Sequence, residues 1–243
     1  MAINILPYLR KSLYVLAILI VLVILGVLQK KHQEQICTYV KIEIEAPAEK
    51  QLITHEIIKN KLDKWYIGGL SGVPQKRISL ADIEHRLEAL PAIQNAEVSF
   101  DLNGEMLIFI KQRIPLVRMM TRGESYYLAN GPVKIPSADV AVARVPIVNE
   151  SLTPQMIKKV YTLSTYVYEN PFIEAITEQI FVNNGDLTII SKIKNQKIVI
   201  GDTTDLPQKF EKLIDFYRDG LTHIGWEKYQ TINLTYKNQI VCK

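Results

Sequence analysis

Apolar positions fall into three regimes along this chain. Residues Leu13 to Leu28 form an unbroken apolar run, LYVLAILIVLVILGVL, with Arg10 and Lys11 before it and Lys30 and Lys31 after it. A membrane-spanning helix needs ~20 largely apolar residues, so the run with Ser12 and Gln29 at its ends predicts a single anchor over 12–29 behind a short tail, 1–11. The sequence that follows, LQKKHQEQIC, offers no small-x-small cleavage site, so an uncleaved anchor is expected rather than a signal peptide. Two basic residues on each side cancel, so the positive-inside rule leaves orientation open.

The second regime mixes periods of two and three to four. Val40, Ile42 and Ile44 alternate with Lys41, Glu43 and Glu45, predicting a half-buried strand over Tyr39 to Glu45. A helix is expected from about Thr54, with Ile57, Ile58, Leu62 and Trp65 on one face. Ser79 and Asp82 form an S-x-x-D capping box ahead of the stripe Leu80, Ile83, Leu87 and Leu90, and Pro91 stops that helix. Val98, Phe100 and Leu102 then alternate up to Asn103-Gly104, and Met106, Ile108 and Ile110 alternate away from it. That pattern predicts a hairpin on a two-residue type I′ turn. Residues 37–113 therefore read β-α-α-β-β, two helices on one face of a three-stranded sheet.

From Pro115 onward short strands are separated by turn residues. Strands are expected at Tyr126 to Leu128 and Val145 to Val148, then a helix capped by Thr153 with the stripe Met156, Val160, Leu163 and Val167, stopped at Asn170-Pro171. A meander follows, with a turn over Asn183 to Asp186, then a helix carrying Phe210, Leu213, Ile214 and Tyr217. The last expected element is one strand from Thr231 to Cys242, where Ile232, Leu234, Tyr236 and Ile240 share a parity. A strand there can sit at a sheet edge and accept another strand. The fold class is α+β: one N-terminal transmembrane helix, a β-α-α-β-β domain over 37–113 and a mixed, β-rich domain over 114–243.

Composition narrows the function. Hydrophobic residues make up 48% and charged residues 22%, and the net charge of +4 is spread without an arginine cluster, which argues against nucleic acid as the main partner. Cys37 and Cys242 sit near opposite ends of the soluble part; a disulfide is possible in an oxidising compartment, while unpaired thiols are the simpler expectation. Neither belongs to a metal spacing, the four histidines are isolated, and no cofactor is expected. No G-x-S-x-G elbow or Cys-His pair marks a nucleophile, so no enzymatic activity is expected. Glu84 and Glu88, i and i+4 on the predicted helix, read as a solvated face, and Asp202 and Asp205 as capping residues.

Three segments carry a resemblance. ISLADIEHRLEALPAIQNAEVSFDLNGEMLIFIKQRIPLVRM (Ile78 to Met119), YYLANGPVKIPSADVAVARVPIVN (Tyr126 to Asn149) and INLTYKNQIVCK (Ile232 to Lys243) are similar to the POTRA helix and hairpin, the first β-domain strands and the terminal strand of the FtsQ/DivIB cell-division family. The QR-x-P and RVP wording most resembles Bacteroidetes members. The resemblance implies a non-enzymatic divisome scaffold at the septum, single-pass in the inner (cytoplasmic) membrane, with its tail cytoplasmic and its bulk periplasmic. It also implies binding of an FtsB/DivIC-like and FtsL-like pair, together with other divisome components, by strand addition at the terminal strand. Tyr236, Lys237, Asn238, Gln239, Ile240 and Val241 would form the docking edge, with Tyr236 and Ile240 as apolar anchors. The alternative class is a membrane-tethered POTRA accessory of outer-membrane assembly or secretion, which usually carries several POTRA repeats; one unit is visible here.

Overall fold

The computed structural model describes Tyr14, Leu16, residues 18–24, Gly26, residues 35–121 and residues 123–243. Tyr14, Leu16, 18–24 and Gly26 are helical and exposed. Among the described residues no helix is long and apolar enough to cross a membrane. The expected tail and much of the expected 12–29 anchor lie outside the described residues.

The first folded unit runs β1 (Val40–Glu45), α1 (His55–Trp65), α2 (Leu80–Glu88), β2 (Ile93–Phe100) and β3 (Met106–Gln112). Its sheet has the order β1-β3-β2, with β1 parallel and β2 antiparallel to the central β3. Ile58 and Leu62 of α1 and Ile83 and Leu87 of α2 share one buried cluster with Ala96, Val98, Met106, Ile108 and Ile110, so both helices cover the same face of the sheet. The helix starts are fixed locally: Thr54 Oγ1 accepts from Ile57 N at 3.3 Å and Ser79 Oγ from Asp82 N at 3.3 Å. The reciprocal half of the expected capping box does not form. Asp82 instead accepts from Tyr66 Oη and Arg86 Nε, both at 2.8 Å, and these bonds hold its carboxyl below the usual range.

The hairpin between β2 and β3 differs from the type I′ expectation. Asp101 N donates to Glu105 O at 2.9 Å and Gly104 N to Asp101 O at 3.3 Å, so the loop holds three residues and only Gly104 takes a positive φ, 86°. Asp101 explains the change: its Oδ1 accepts from the N–H groups of Asn103 (2.9 Å) and Glu105 (2.7 Å), which stabilises a wider turn. Leu102 consequently sits exposed at the loop tip rather than in the strand. Glycine is needed at 104 on a second count, because a Cβ there would lie 2.8 Å from Ile36 O.

The second unit is built on a nine-stranded sheet of order β12-β11-β10-β9-β8-β7-β4-β5-β6. Its strands are β4 (Pro115–Thr121), β5 (Glu124–Ala129), β6 (Val133–Pro136), β7 (Ile147–Val148), β8 (Thr177–Asn183), β9 (Asp186–Ser191), β10 (Lys197–Gly201), β11 (Thr231–Asn233) and β12 (Val241–Cys242). Its helices are α3 (Pro154–Glu169), α4 (Pro171–Ile176) and α5 (Leu206–Asp215), the last continued by a π-helical turn over Phe216–Leu221. Val160, Leu163, Val167, Phe210, Leu213 and Tyr217 bury against Ile180, Ile189, Ile198 and Ile200. Pro171 both stops α3 and opens α4, a helix the sequence pattern did not predict. The tight two-residue turn expected at Asn103-Gly104 occurs instead between β8 and β9, where Asn184 and Gly185 have φ of 50° and 89°.

The two units share a polar seam and part of a core. Tyr127, Ala129, Ile135 and Ala143 of the second unit join the buried cluster of the first. Backbone bonds from Ala141 N to Leu52 O and from Arg144 N to Glu49 O, each 2.8 Å, cross from the second unit to the first. Within the first unit Gln112, at the end of β3 and 3% exposed, holds that segment in place: its Oε1 accepts from Leu52 N (2.6 Å) and Ile53 N (2.8 Å), and its Nε2 donates to Lys50 O (2.9 Å). Lys50 closes the seam, pairing with Glu174 and lying 4.0 Å above the Tyr168 ring.

Candidate protein-docking edge

The expected single strand over Thr231 to Cys242 is a hairpin of two short strands. β11 enters parallel to β10 after the α5 crossover, and the chain then turns and returns as β12, antiparallel to β11. Ile232 and Leu234 are fully buried, and there the parity stops: Tyr236 is 48% exposed, Lys237, Asn238 and Gln239 are exposed, and Ile240 returns half-buried against the core. The reversal has identifiable causes. Asn233 Oδ1 accepts from Thr235 N (2.9 Å) and Thr235 Oγ1 (2.7 Å), and Lys212 of α5 donates to the carbonyls of Tyr236 (2.7 Å) and Lys237 (3.2 Å). Gly201 makes room for this bend, since a Cβ there would lie 2.9 Å from Thr235 Cγ2. Of the six residues expected to form the edge, Val241 alone lies within a strand.

The register determines which backbone groups are free. Thr231 and Lys243 exchange two bonds, each 3.0 Å, so they are a hydrogen-bonded antiparallel pair. Alternation makes Ile232–Cys242 a non-bonded pair and Asn233–Val241 a bonded one. Val241 therefore points its N–H and C=O inward at β11, while Cys242 points them outward, and Ile240 shares that outward parity. Among the described residues, no hydrogen bond is made by these outward groups.

A rigid base supports the edge. Gln196, 1% exposed, donates from Nε2 to Trp226 O (2.5 Å) and Tyr229 O (2.8 Å) and accepts from Tyr217 Oη (2.6 Å), tying the loop before β11 to the core. Burial pushes the Tyr217 hydroxyl up to about 12, so it remains a donor. Phe172 packs edge-on to both Tyr217 and Trp226. Lys209, 8% exposed, pairs with Asp202 at 3.0 Å beneath the turn. The expected capping roles change here: Asp205 precedes α5 with φ 50° and no side-chain cap, whereas Asp202 binds Thr204 and Lys209. Cys37, in the first core, and Cys242, in β12, are both free thiols, and burial raises the pKa of each.

Glu84 and Glu88, expected on a solvated face, instead cover the outer edge of β2. Glu84 Oε1 accepts from Val98 N at 2.8 Å and Glu88 Oε1 from Ala96 N at 3.3 Å. The reason is geometric: α2 lies along an edge strand whose outward N–H groups need acceptors, and i, i+4 carboxylates match two of them.

A β-α-α-β-β unit leading into a β-rich domain with an open edge defines the POTRA-bearing class of interaction proteins. Residues 35–111 match the POTRA-like domain, and residues 114–243 match the family described as FtsQ/DivIB, C-terminal related. The chain belongs to the FtsQ/DivIB family, a family of division-associated, generally non-catalytic scaffolds that work through protein interactions at the membrane of the division site. A search of the curated proteins found no match.

Proposed function

We propose that this chain is a single-pass divisome scaffold that holds an FtsB/DivIC-like and FtsL-like pair by strand addition at the outer edge of β12. In this reading 1–11 is a cytoplasmic tail, 12–29 the membrane helix, 37–113 the POTRA domain and 114–243 the β domain, both periplasmic at the septum. The observation that carries it is the outward backbone of Cys242 on the last strand of a nine-stranded sheet, and of Ile240 just before that strand, with no hydrogen bond made among the described residues. Backbone pairing supplies affinity, and side chains flanking the edge select the partner. Tyr236, Lys237, Asn238 and Gln239 serve as side-chain contacts on the adjoining turn rather than as paired strand; Tyr236 offers an exposed ring for this purpose.

The register supplies the test. Proline at Cys242 removes an outward donor and leaves the β11 bonds intact, whereas proline at Val241 removes an inward bond to Asn233. Titration of the full chain in lipid nanodiscs with the purified FtsB/FtsL-type pair should show binding lost in Cys242→Pro, with its unfolding midpoint close to that of the parent. Full binding by Cys242→Pro would refute strand addition at β12.

A further inference from the structure

We infer that the outer edge of β1, with the groove between it and α1, is a second strand-docking site, which takes an extended segment of a partner polypeptide carrying apolar residues at alternate positions. In a parallel pair, both backbone groups of a residue point to the same side. Met106 N donates to Tyr39 O at 2.8 Å, so Tyr39, Lys41, Glu43 and Glu45 face β3, and Val40, Ile42 and Ile44 direct three N–H and three C=O groups outward. Among the described residues only one of these six groups is engaged: Ile42 O, held 3.0 Å from Nε2 of the exposed His55. The opposite edge of the same sheet is treated differently, since Glu84 and Glu88 take the N–H groups of Val98 and Ala96. Among the described residues, no side chain takes an outward N–H of β1.

The groove beside β1 has a volume of about 680 Å³. Leu62 and Leu70 form its floor, His55, Lys59 and Asp63 line its helix side, and the 61% exposed Tyr39 stands at its mouth. An added strand would turn alternate side chains into this groove and the others toward the polar face bearing Lys41 and Glu43. Lys41 and Lys59 are balanced by Glu56 and Asp63 along the same groove, so it has no net charge to draw an anionic lipid or a nucleic acid. Backbone pairing and apolar contact remain, and an extended polypeptide supplies both. This site lies in the first unit and does not depend on β12.

The probe is an acetylated, amidated octapeptide alternating valine with threonine, lysine or glutamate, added to the full chain in nanodiscs. The readout is hydrogen exchange resolved to single amides. Exchange at Val40, Ile42 and Ile44 should slow several-fold, and the slowing should vanish when alternate peptide nitrogens are methylated. Ile42→Pro should abolish it. Ser71→Trp, which fills the groove from a loop and leaves the strand untouched, should weaken it. His55→Ala frees the Ile42 carbonyl and should tighten binding about fivefold, the value of one ordinary hydrogen bond. Unchanged exchange at the three amides, or protection confined to Ile240 and Cys242, would overturn the inference. So would protection that grows with protein concentration without peptide, because it would assign the edge to a second copy.

Discussion

Gln112→Ala should weaken the coupling between the two units indirectly, because within the first unit the glutamine fixes the 50–53 segment, whose Leu52 carbonyl and Lys50 side chain bond to the second. The side chain accepts from the N–H groups of Leu52 and Ile53 and donates to the carbonyl of Lys50, and Leu52 and Ile53 are 0% and 1% exposed. Truncation leaves two donors and one acceptor unpaired in the dry interior of the first unit, behind the segment that meets the second. Each such group costs about 1–3 kcal/mol, and partial entry of water puts the total near 4 kcal/mol. With a urea slope of about 2 kcal/mol/M, the midpoint should fall by about 2 M. The loss should be uneven, and the two tryptophans make that measurable. Trp65 packs on the core of the first unit and Trp226 on that of the second. In the full chain in detergent micelles, Trp65→Phe and Trp226→Phe variants report the two units separately. Their transitions should coincide with Gln112 present and separate in Gln112→Ala. Gln112→Glu keeps the acceptors and loses the Lys50 donor bond, so it should recover part of the loss. Coincident transitions with a midpoint shift below about 0.5 M, or about 1 kcal/mol, would refute the seam as the coupling element.

Other consequences concern the sheet edge and the acid limb of stability. Glu84→Ala strips the acceptor from Val98 N and should cost about 1–2 kcal/mol by urea unfolding; it should also promote concentration-dependent association by light scattering, since it reopens β2. An unchanged midpoint and a monomer at all concentrations would contradict the edge-capping role. Asp202 is held down to about 2 by its bonds from the Thr204 side chain, Lys209 and the Thr204 backbone. Because the folded value is the lower one, the stabilisation is complete above the ordinary carboxylate value near 4 and disappears as pH falls toward 2. The carboxylate is half exposed, so screening leaves about 1 kcal/mol. Asp202→Asn should therefore be less stable than the parent at pH 6 by about that amount and nearly equal to it at pH 2; an equal deficit at both values would assign the effect to packing.

Helix starts and core stripes were legible because their signals are local. Thr54, Ser79 and Thr153 each accept from the N–H three residues on, and Ile58, Leu62, Ile83, Leu87, Val160 and Leu163 all bury as their spacing predicts. Turns were legible only where no neighbouring side chain intervened: Asn184-Gly185 follows the two-residue rule, while Asp101 overrides it at Asn103-Gly104. The terminal strand misled for a related reason. Parity from Ile232 to Ile240 implies continuity, but it carries no information about a reversal set by Lys212 from a helix about 25 residues earlier. The Lys237-Asn238 turn chemistry was the one signal available there. Gln112, Glu84 and Glu88 could not be assigned from sequence, since each answers a backbone group brought close only by the tertiary fold.

Several of the shifted groups are tied to the fold: Asp82 by Tyr66 and Arg86, Asp202 by Thr204 and Lys209, and Tyr217 by burial beside Gln196. Sheet edges show the contrasting pattern. β2 is capped by two carboxylates. β6 is bounded by Pro132 and Pro136, and its Ile135 is 1% exposed within the first unit's core. Among the described residues, β12 and β1 keep outward donors and acceptors without such cover, apart from the Ile42 carbonyl beside His55. Unprotected edges favour aggregation, and folded proteins ordinarily blunt them. The proposed docking edges, β12 and β1, thus fall on separate sheets of two units that are joined by backbone bonds from Ala141 and Arg144 to Leu52 and Glu49 and by the Lys50–Glu174 pair.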